Sequence, residues 1–339
     1  MKWLWMALCL TAWSPVWAAP RLGTSGCIEG GWALGGAPRD SQWLIDLIEI
    51  HQRFDPSDRV RVYFSNVFAF ASPTAAPGKS NNSSNYFSRY QLATSGTGGT
   101  MTLANAGAYA EFHLLDGLTA SVGHVRVPFG TESLMSRYDS PAYFYSAAIS
   151  AAQNQSWLWD LGLLVSLKRT WIPGELTLGI LDGKATAGEG SPALTARYEV
   201  NIESGRLTFL PSASLYLGEF SRGITDVGWT LGLEALLGVV SIQAEWVRVY
   251  TEGAPGSTPV PTPTTSIYVE PAIDLGFFEA ATKVEFENTP GASDVHLSFA
   301  ATKMFAQRLR GRVLYQAAGV LGKIRAGEHD FRVMLGADW

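Results

Sequence analysis

The chain carries five histidines, His51, His113, His124, His296 and His329, and their spacing is a first test for catalysis. None belongs to a His-Glu-x-x-His pair that could hold zinc on one helix face, and no Gly-x-Ser-x-Gly turn presents a nucleophilic serine. The glycines of Ser95 to Thr100 are not followed by the lysine of a phosphate-binding loop. Of the two cysteines, Cys9 falls within the leader described below, so Cys27 stands alone and neither a zinc pair nor an internal disulfide is expected. The residues thus offer no catalytic constellation, no metal site and no cofactor motif. What they can do is line water with charge. Glu111, His124, Arg126, Asp160 and Lys168 interrupt segments that alternate apolar with polar, while Glu132, Arg137 and Asp139 fall in a long polar connection.

The elements that must position these charges are strands. From about residue 44 onward the sequence alternates at period two, in segments of about ten residues separated by turn clusters. Trp159, Leu161, Leu163, Val165 and Leu167 share one face, with Asp160, Gly162, Ser166 and Lys168 on the other. Val240, Ile242, Ala244 and Trp246 oppose Ser241, Gln243 and Glu245 in the same way. Cys27 to Leu34 and Leu44 to Phe54 are weaker strands, and Trp43 to His51 also fits a short helix. The connections alternate in length. Tight turns at Asp55 to Asp58, Asp116-Gly117, Ile172 to Gly174, Glu203 to Gly205 and Ala306 to Arg308 are interleaved with longer polar loops. The long ones are Ser72 to Asn85, Thr131 to Ser156, Asp182 to Ser191, Thr251 to Thr265, Asn288 to Ser293 and Ala318 to Gly327. A sheet with turns at one end and loops at the other is an all-β, antiparallel, up-and-down transmembrane barrel of about 16 strands (14–16), with both termini at the turn end.

One hairpin can be read to the residue. A two-residue turn at Asp116-Gly117 sets Leu115 against Leu118, Glu111 against Val122, Tyr109 against His124 and Gly107 against Arg126. His124 and Arg126 would then share the wet face with Glu111.

Composition agrees. The 339 residues are 47% apolar, 12% aromatic and only 16% charged, with a net charge of −5 that gives no electrostatic case for nucleic acid. Beyond the N-terminus no uncharged apolar run reaches the roughly 18 residues of a membrane-spanning helix. Lys2, the apolar stretch Trp3 to Trp13 and Val16-Trp17-Ala18 form a secretory leader over residues 1–18, leaving residues 19–339 as the barrel. In a soluble sandwich the apolar faces would meet in a core; in lipid they point outward and aromatics gather at strand ends, as Trp157, Trp171, Trp229, Trp246 and Tyr250 do. The last segment alternates through Phe331, Val333, Leu335 and Ala337 to a terminal Trp339, and it resembles the signal that outer-membrane barrel-assembly machinery reads on its clients.

Leu115-Asp116-Gly117-Leu118, Gly123 and Arg126-Val127-Pro128-Phe129-Gly130 resemble a hairpin of Gram-negative outer-membrane porins of the β-barrel porin type. Thr177 to Gly183 is similar to a strand ending in the same porins, with Asp182 where they commonly carry Asn, and Leu194 to Arg197 resembles the returning strand. The resemblance implies an outer-membrane location in a Gram-negative bacterium, contact with outer-membrane lipid, a homotrimer, and passive passage of small hydrophilic solutes without a cofactor. By position, Thr131 to Ser156 is the counterpart of the loop that porins fold into the pore. The expected constriction brings Glu132, Arg137 and Asp139 of this loop against Arg126 and Lys168, with His124, Glu111 and Asp160 lining the lumen nearby. The alternative for the loop is a position outside the barrel, against neighbouring subunits. The alternative for the protein is a structural or adhesive barrel with a blocked lumen and partner-binding loops; a soluble periplasmic β-protein is a third reading. The His-Ser-Asn pattern of outer-membrane phospholipases is absent, so no enzyme is expected.

Overall fold

A computed structural model describes residues 21–35, 41–71, 100–134, 141, 146, 148–149, 159–168, 173–183, 192–218, 226–251, 262–320 and 323–339. The leader at residues 1–18 and the girdle residues Trp157 and Trp171 lie outside these. The chain forms β1 (Arg21–Gly35), β2 (Ser41–Ser57), β3 (Val60–Ala71), β4 (Thr100–Leu115), β5 (Leu118–Arg126), β6 (Trp159–Lys168), β7 (Glu175–Leu181), β8 (Ala193–Glu199) and β9 (Ile202–Ser204). It continues through β10 (Leu207–Gly218), β11 (Asp226–Leu237), β12 (Val240–Thr251), β13 (Thr262–Asp274), β14 (Phe278–Thr289), β15 (Ala292–Ala306), β16 (Leu309–Val320) and β17 (Lys323–Asp338). β8 and β9 both pair with β10 and are two halves of one stave, interrupted at Val200-Asn201. The result is a closed antiparallel barrel of 16 strands, because β1 pairs with β17 as well as with β2. Closure matters energetically: in hydrocarbon every backbone N–H and C=O needs an internal partner, and only a sheet without edges supplies one. At the seam the terminal Trp339 exchanges backbone hydrogen bonds with Gly26 at 3.1 and 3.3 Å.

Period-two alternation separates two environments. On one face stand Leu161 (57% exposed), Leu163, Ile180, Leu231 (54% exposed), Ile242 and Ile267; on the other, Lys283, Glu285, Arg312 and Arg332 are buried. An apolar surface open to the outside and charge packed within is the inverse of a soluble core. Each Leu or Ile that lipid removes from water contributes roughly 1.5–3 kcal/mol. Trp43 to His51 lies within β2 and is strand, not helix: it pairs with β1 along its length and with β3 from Ile48 onward.

Two local expectations need correction. The β4–β5 hairpin does join Leu115 to Leu118, but its register then shifts by one at Leu114, so Glu111 faces Ser121, Tyr109 faces Gly123 and Ala108 faces His124. The cause is visible in the sequence His113-Leu114-Leu115. With a regular ladder one of the two leucines would turn inward; the bulge leaves both exposed on the lipid side, 50% and 62%, and sends every later residue of β5 to the opposite face from the one expected. The loop end is also less uniform than the composition suggests. β14 and β15 are joined by a tight turn at Pro290-Gly291, with Gly291 at φ 88°, and β16 ends at Val320 just before β17 begins at Lys323.

Gly123 and Gly162 face each other across β5 and β6. Gly123 has φ +134°, and a Cβ there would lie 2.3 Å from the Ala108 carbonyl oxygen. Gly123→Ala is therefore expected to destabilise the barrel by about 1–3 kcal/mol, read as a lower urea midpoint of the refolded protein in detergent. An unchanged midpoint would mean that β4 and β5 are not this close.

Candidate pore constriction

Beyond β5 the chain does not continue outward. Val127, Pro128, Phe129 and Gly130 are buried, Gly130 turns with φ +77°, and a single 3-10 turn follows at Glu132–Leu134. The partners of this segment place it. The Gly130 N–H donates to Ser214 Oγ (3.2 Å), the Thr131 N–H to Glu245 Oε1 (2.8 Å) and the Ala148 N–H to Ser266 Oγ (3.0 Å). Glu132 accepts from the Ser146 N–H through Oε2 (2.8 Å) and forms an ion pair with Lys283 through Oε1. Ser214, Glu245, Ser266 and Lys283 are inward-facing residues of β10, β12, β13 and β14. The segment therefore lies inside the barrel, fastened to one wall.

Apolar contacts complete the attachment. Phe129, Ala148 and Ile149 pack with Val125, Leu181, Tyr216, Val247 and Val249, all buried and all on the inner face. Loop-side positions that the alternation assigns to water are thus occupied by valine and leucine, because a folded segment and not solvent meets them. Phe129 meets Tyr216 edge to face, ring centroids 6.5 Å apart.

The charges beneath this cluster are paired within it. The Lys283 ammonium, 2% exposed, meets Glu132 and lies 4.2 Å from the centroid of the Tyr268 ring. Tyr268 donates to Glu245 Oε2 (3.0 Å) and accepts from Gln243 Nε2 (2.6 Å). Glu270 and Glu285 are buried on the same wall. The inner wall from β16 round to β3 is different. Arg310, Arg312 and Arg332 on β16 and β17 and Arg53 and Arg61 on β2 and β3 face inward, beside the stacked rings of Tyr63 and Tyr109 at 4.9 Å. An acidic stretch of wall carrying the folded segment is thus followed around the barrel by a stretch rich in arginine.

No protein-family model matches the chain, and no curated protein does. Solved structures do. OmpF of Salmonella typhi superposes with a TM-score of 0.64 at 11% identity, over 94% of this chain and 97% of that one. The fold is that of the outer-membrane porins. A loop-deletion form of OmpT, an outer membrane protein of Vibrio cholerae, gives 0.62 at 10% identity over 95% and 100% of the two chains. The outer membrane channel DcaP of Acinetobacter baumannii gives 0.59 at 11% identity over 95% and 98%.

Within this barrel the residues expected from sequence fall into three groups. Glu132 is inside, and its partner is Lys283 rather than Arg126 or Lys168. Lys168 ends β6 at the turn side, opposite Glu175, at the far end of the strand from the folded segment. Glu111 and Asp160 also face inward. Glu111 lies 3.5 Å from Arg61 and 2.9 Å from His113 Nε2, while Asp160 accepts the backbone N–H of Leu161 (2.8 Å) and of Gly183 (3.0 Å) and so secures the start of a loop. His124 and Arg126 are corrections. The bulge at Leu114 gives them the parity of Val122 and Leu161 on the outer face, where Arg126 lies over the Trp159 ring at 5.4 Å. Arg137 and Asp139 lie outside the described residues. Lys283 and Glu245 read from sequence as lumen-facing charges but not as anchors of the segment, and Tyr268 and the two wall serines were not singled out. The available signal was weak: Val247 and Val249 place apolar residues on the wet parity of β12, which marks a wall that something covers.

Proposed function

We propose that the chain forms an outer-membrane channel through which small hydrophilic solutes diffuse passively, without catalysis or a cofactor. The observation that carries this reading is that the described residues between Val127 and Ile149 are bound through Ser214, Glu245, Ser266 and Lys283 to one wall, while an arginine-rich stretch of wall runs from β16 round to β3. Such an arrangement narrows a wide lumen to a slot and sets a field across it, so that water and solutes are ordered by charge as well as size. On the same reading the outer face contacts outer-membrane lipid, the assembly machinery recognises β17 with its terminal Trp339, and three copies associate. The packed cluster around Phe129 and Ile149 favours the second reading, a structural or adhesive barrel whose lumen is blocked. Single-channel recording in a planar bilayer decides between them: stable ohmic steps support the channel, and a folded protein without conductance supports the blocked barrel.

The arginine wall yields a sharper expectation. Replacing Arg310, Arg312 and Arg332 together by glutamine removes three positive charges from the lumen while keeping polar side chains. The zero-current potential under a salt gradient should then move toward cation preference. An unmoved potential would mean that permeating ions do not pass this wall.

A further inference from the structure

The outer face supplies a site that solute passage does not use. Among the described side chains of β6 to β14, the register leaves a single charged group on the lipid-facing side, Arg248. It stands near the loop end of β12, above the apolar ladder of Ile242, Ala244 and Trp246. Its guanidinium lies 5.7 Å from the Trp229 ring centroid and 4.9 Å from that of Tyr250, and these two rings are 5.5 Å apart. Thr265, directly across on β13, and Asn288, beyond it on β14, extend the patch with a hydroxyl and an amide. Arg248 Nε is buried and has no hydrogen-bond partner among the described residues.

A guanidinium held by two rings where hydrocarbon gives way to headgroups, with a donor still unused, is complementary to an anion in the plane of the membrane. We infer that Arg248, with Trp229, Tyr250, Thr265 and Asn288, binds the phosphate of a phosphorylated glycolipid in the loop-side leaflet. The forked donors of arginine suit a phosphate's oxygens, the rings present flat apolar sides to the sugar and acyl roots, and Thr265 and Asn288 offer hydrogen bonds to sugar hydroxyls. A second protein copy suits the patch less well, because a charge on an otherwise apolar sheet face would need an acidic partner. Among the described residues the outer face of β6 to β14 presents none.

This inference rests on the membrane-barrel reading, which the same preparation tests separately through heat-resistant migration of the folded barrel and its insertion into vesicles. Wild type, Arg248→Ala and Arg248→Lys, each confirmed folded, are titrated in detergent with bisphosphorylated lipid A and with its dephosphorylated form, and bound lipid is counted by native mass spectrometry. Loss of one charge-assisted phosphate contact should weaken lipid A binding by about tenfold or more in Arg248→Ala, with Arg248→Lys between that and wild type. The dephosphorylated lipid should bind all three equally. Equal lipid A affinity across the three proteins overturns the proposal. So does a change of oligomeric state in Arg248→Ala with lipid binding unaltered, which would assign the patch to another copy of the chain.

Discussion

Removal of Leu134 to Ala148 should raise the single-channel conductance several-fold and blunt discrimination between solutes of different size. The strands do not depend on that stretch, because the barrel closes through β1, β2 and β17 and every neighbouring pair is an antiparallel ladder. The folded segment does depend on it, since Ala148 donates to Ser266 and packs with Ile149 and Phe129 on the inner wall. The deleted protein should therefore retain heat-resistant migration while its lumen widens. Conductance and solute cut-off identical to wild type would show that the segment does not lie in the path of the solutes, and the constriction role would fall with it.

Replacing Lys283 by methionine should lower stability more than Gly123→Ala does. Lys283 and Glu132 are both almost fully buried, and the lysine sits among Glu270 and Glu285 against the Tyr268 ring. Removing the cation leaves Glu132 buried without its counter-charge, which costs about 3–5 kcal/mol in comparable pairs. Adding Glu132→Gln to the variant removes the stranded charge and should recover a large part of the loss. Urea unfolding followed by tryptophan fluorescence measures both. Recovery distinguishes a charge effect from a packing effect: if the double variant is as unstable as Lys283→Met alone, the methylenes of Lys283 rather than its charge hold the wall together. In bilayers the single variant should also show noisier current, since the attachment of Glu132 to the wall is what keeps the segment still.

The barrel itself was legible because two environments impose a period of two, and one misplaced residue would put charge in lipid. Leu161 and Asp160, or Ile242 and Gln243, can be assigned to faces by inspection. The same logic failed at Leu114 for a physical reason. Alternation predicts faces only while the ladder is regular, and a bulge inverts every assignment after it without leaving a mark other than two adjacent leucines. His124 and Arg126 were misread through that one residue, and with them the expected partners of Glu132. The folded segment was half legible. Its location followed from the length of the connection after β5, but its attachment to Ser214, Glu245, Ser266 and Lys283 joins positions on four different strands that no local pattern relates. Val125 read as a member of the apolar outer face, and Leu181, Val247 and Val249 fall on the polar parity of their strands, yet all four are where the folded segment rests.

The pairing of Glu132 with Lys283 spans 151 residues of chain. Contacts of such separation form late, because the intervening segment must be ordered before its ends can meet. β14 has to be in place before the segment after β5 can be anchored, so most of the barrel wall must assemble around an unobstructed interior. The attachment of the segment is then later than the pairing of the neighbouring strands that lead from β5 to β14. A nascent barrel arrested before β14 docks would be wider than the finished one, and cells making this protein have reason to complete its C-terminal strands quickly.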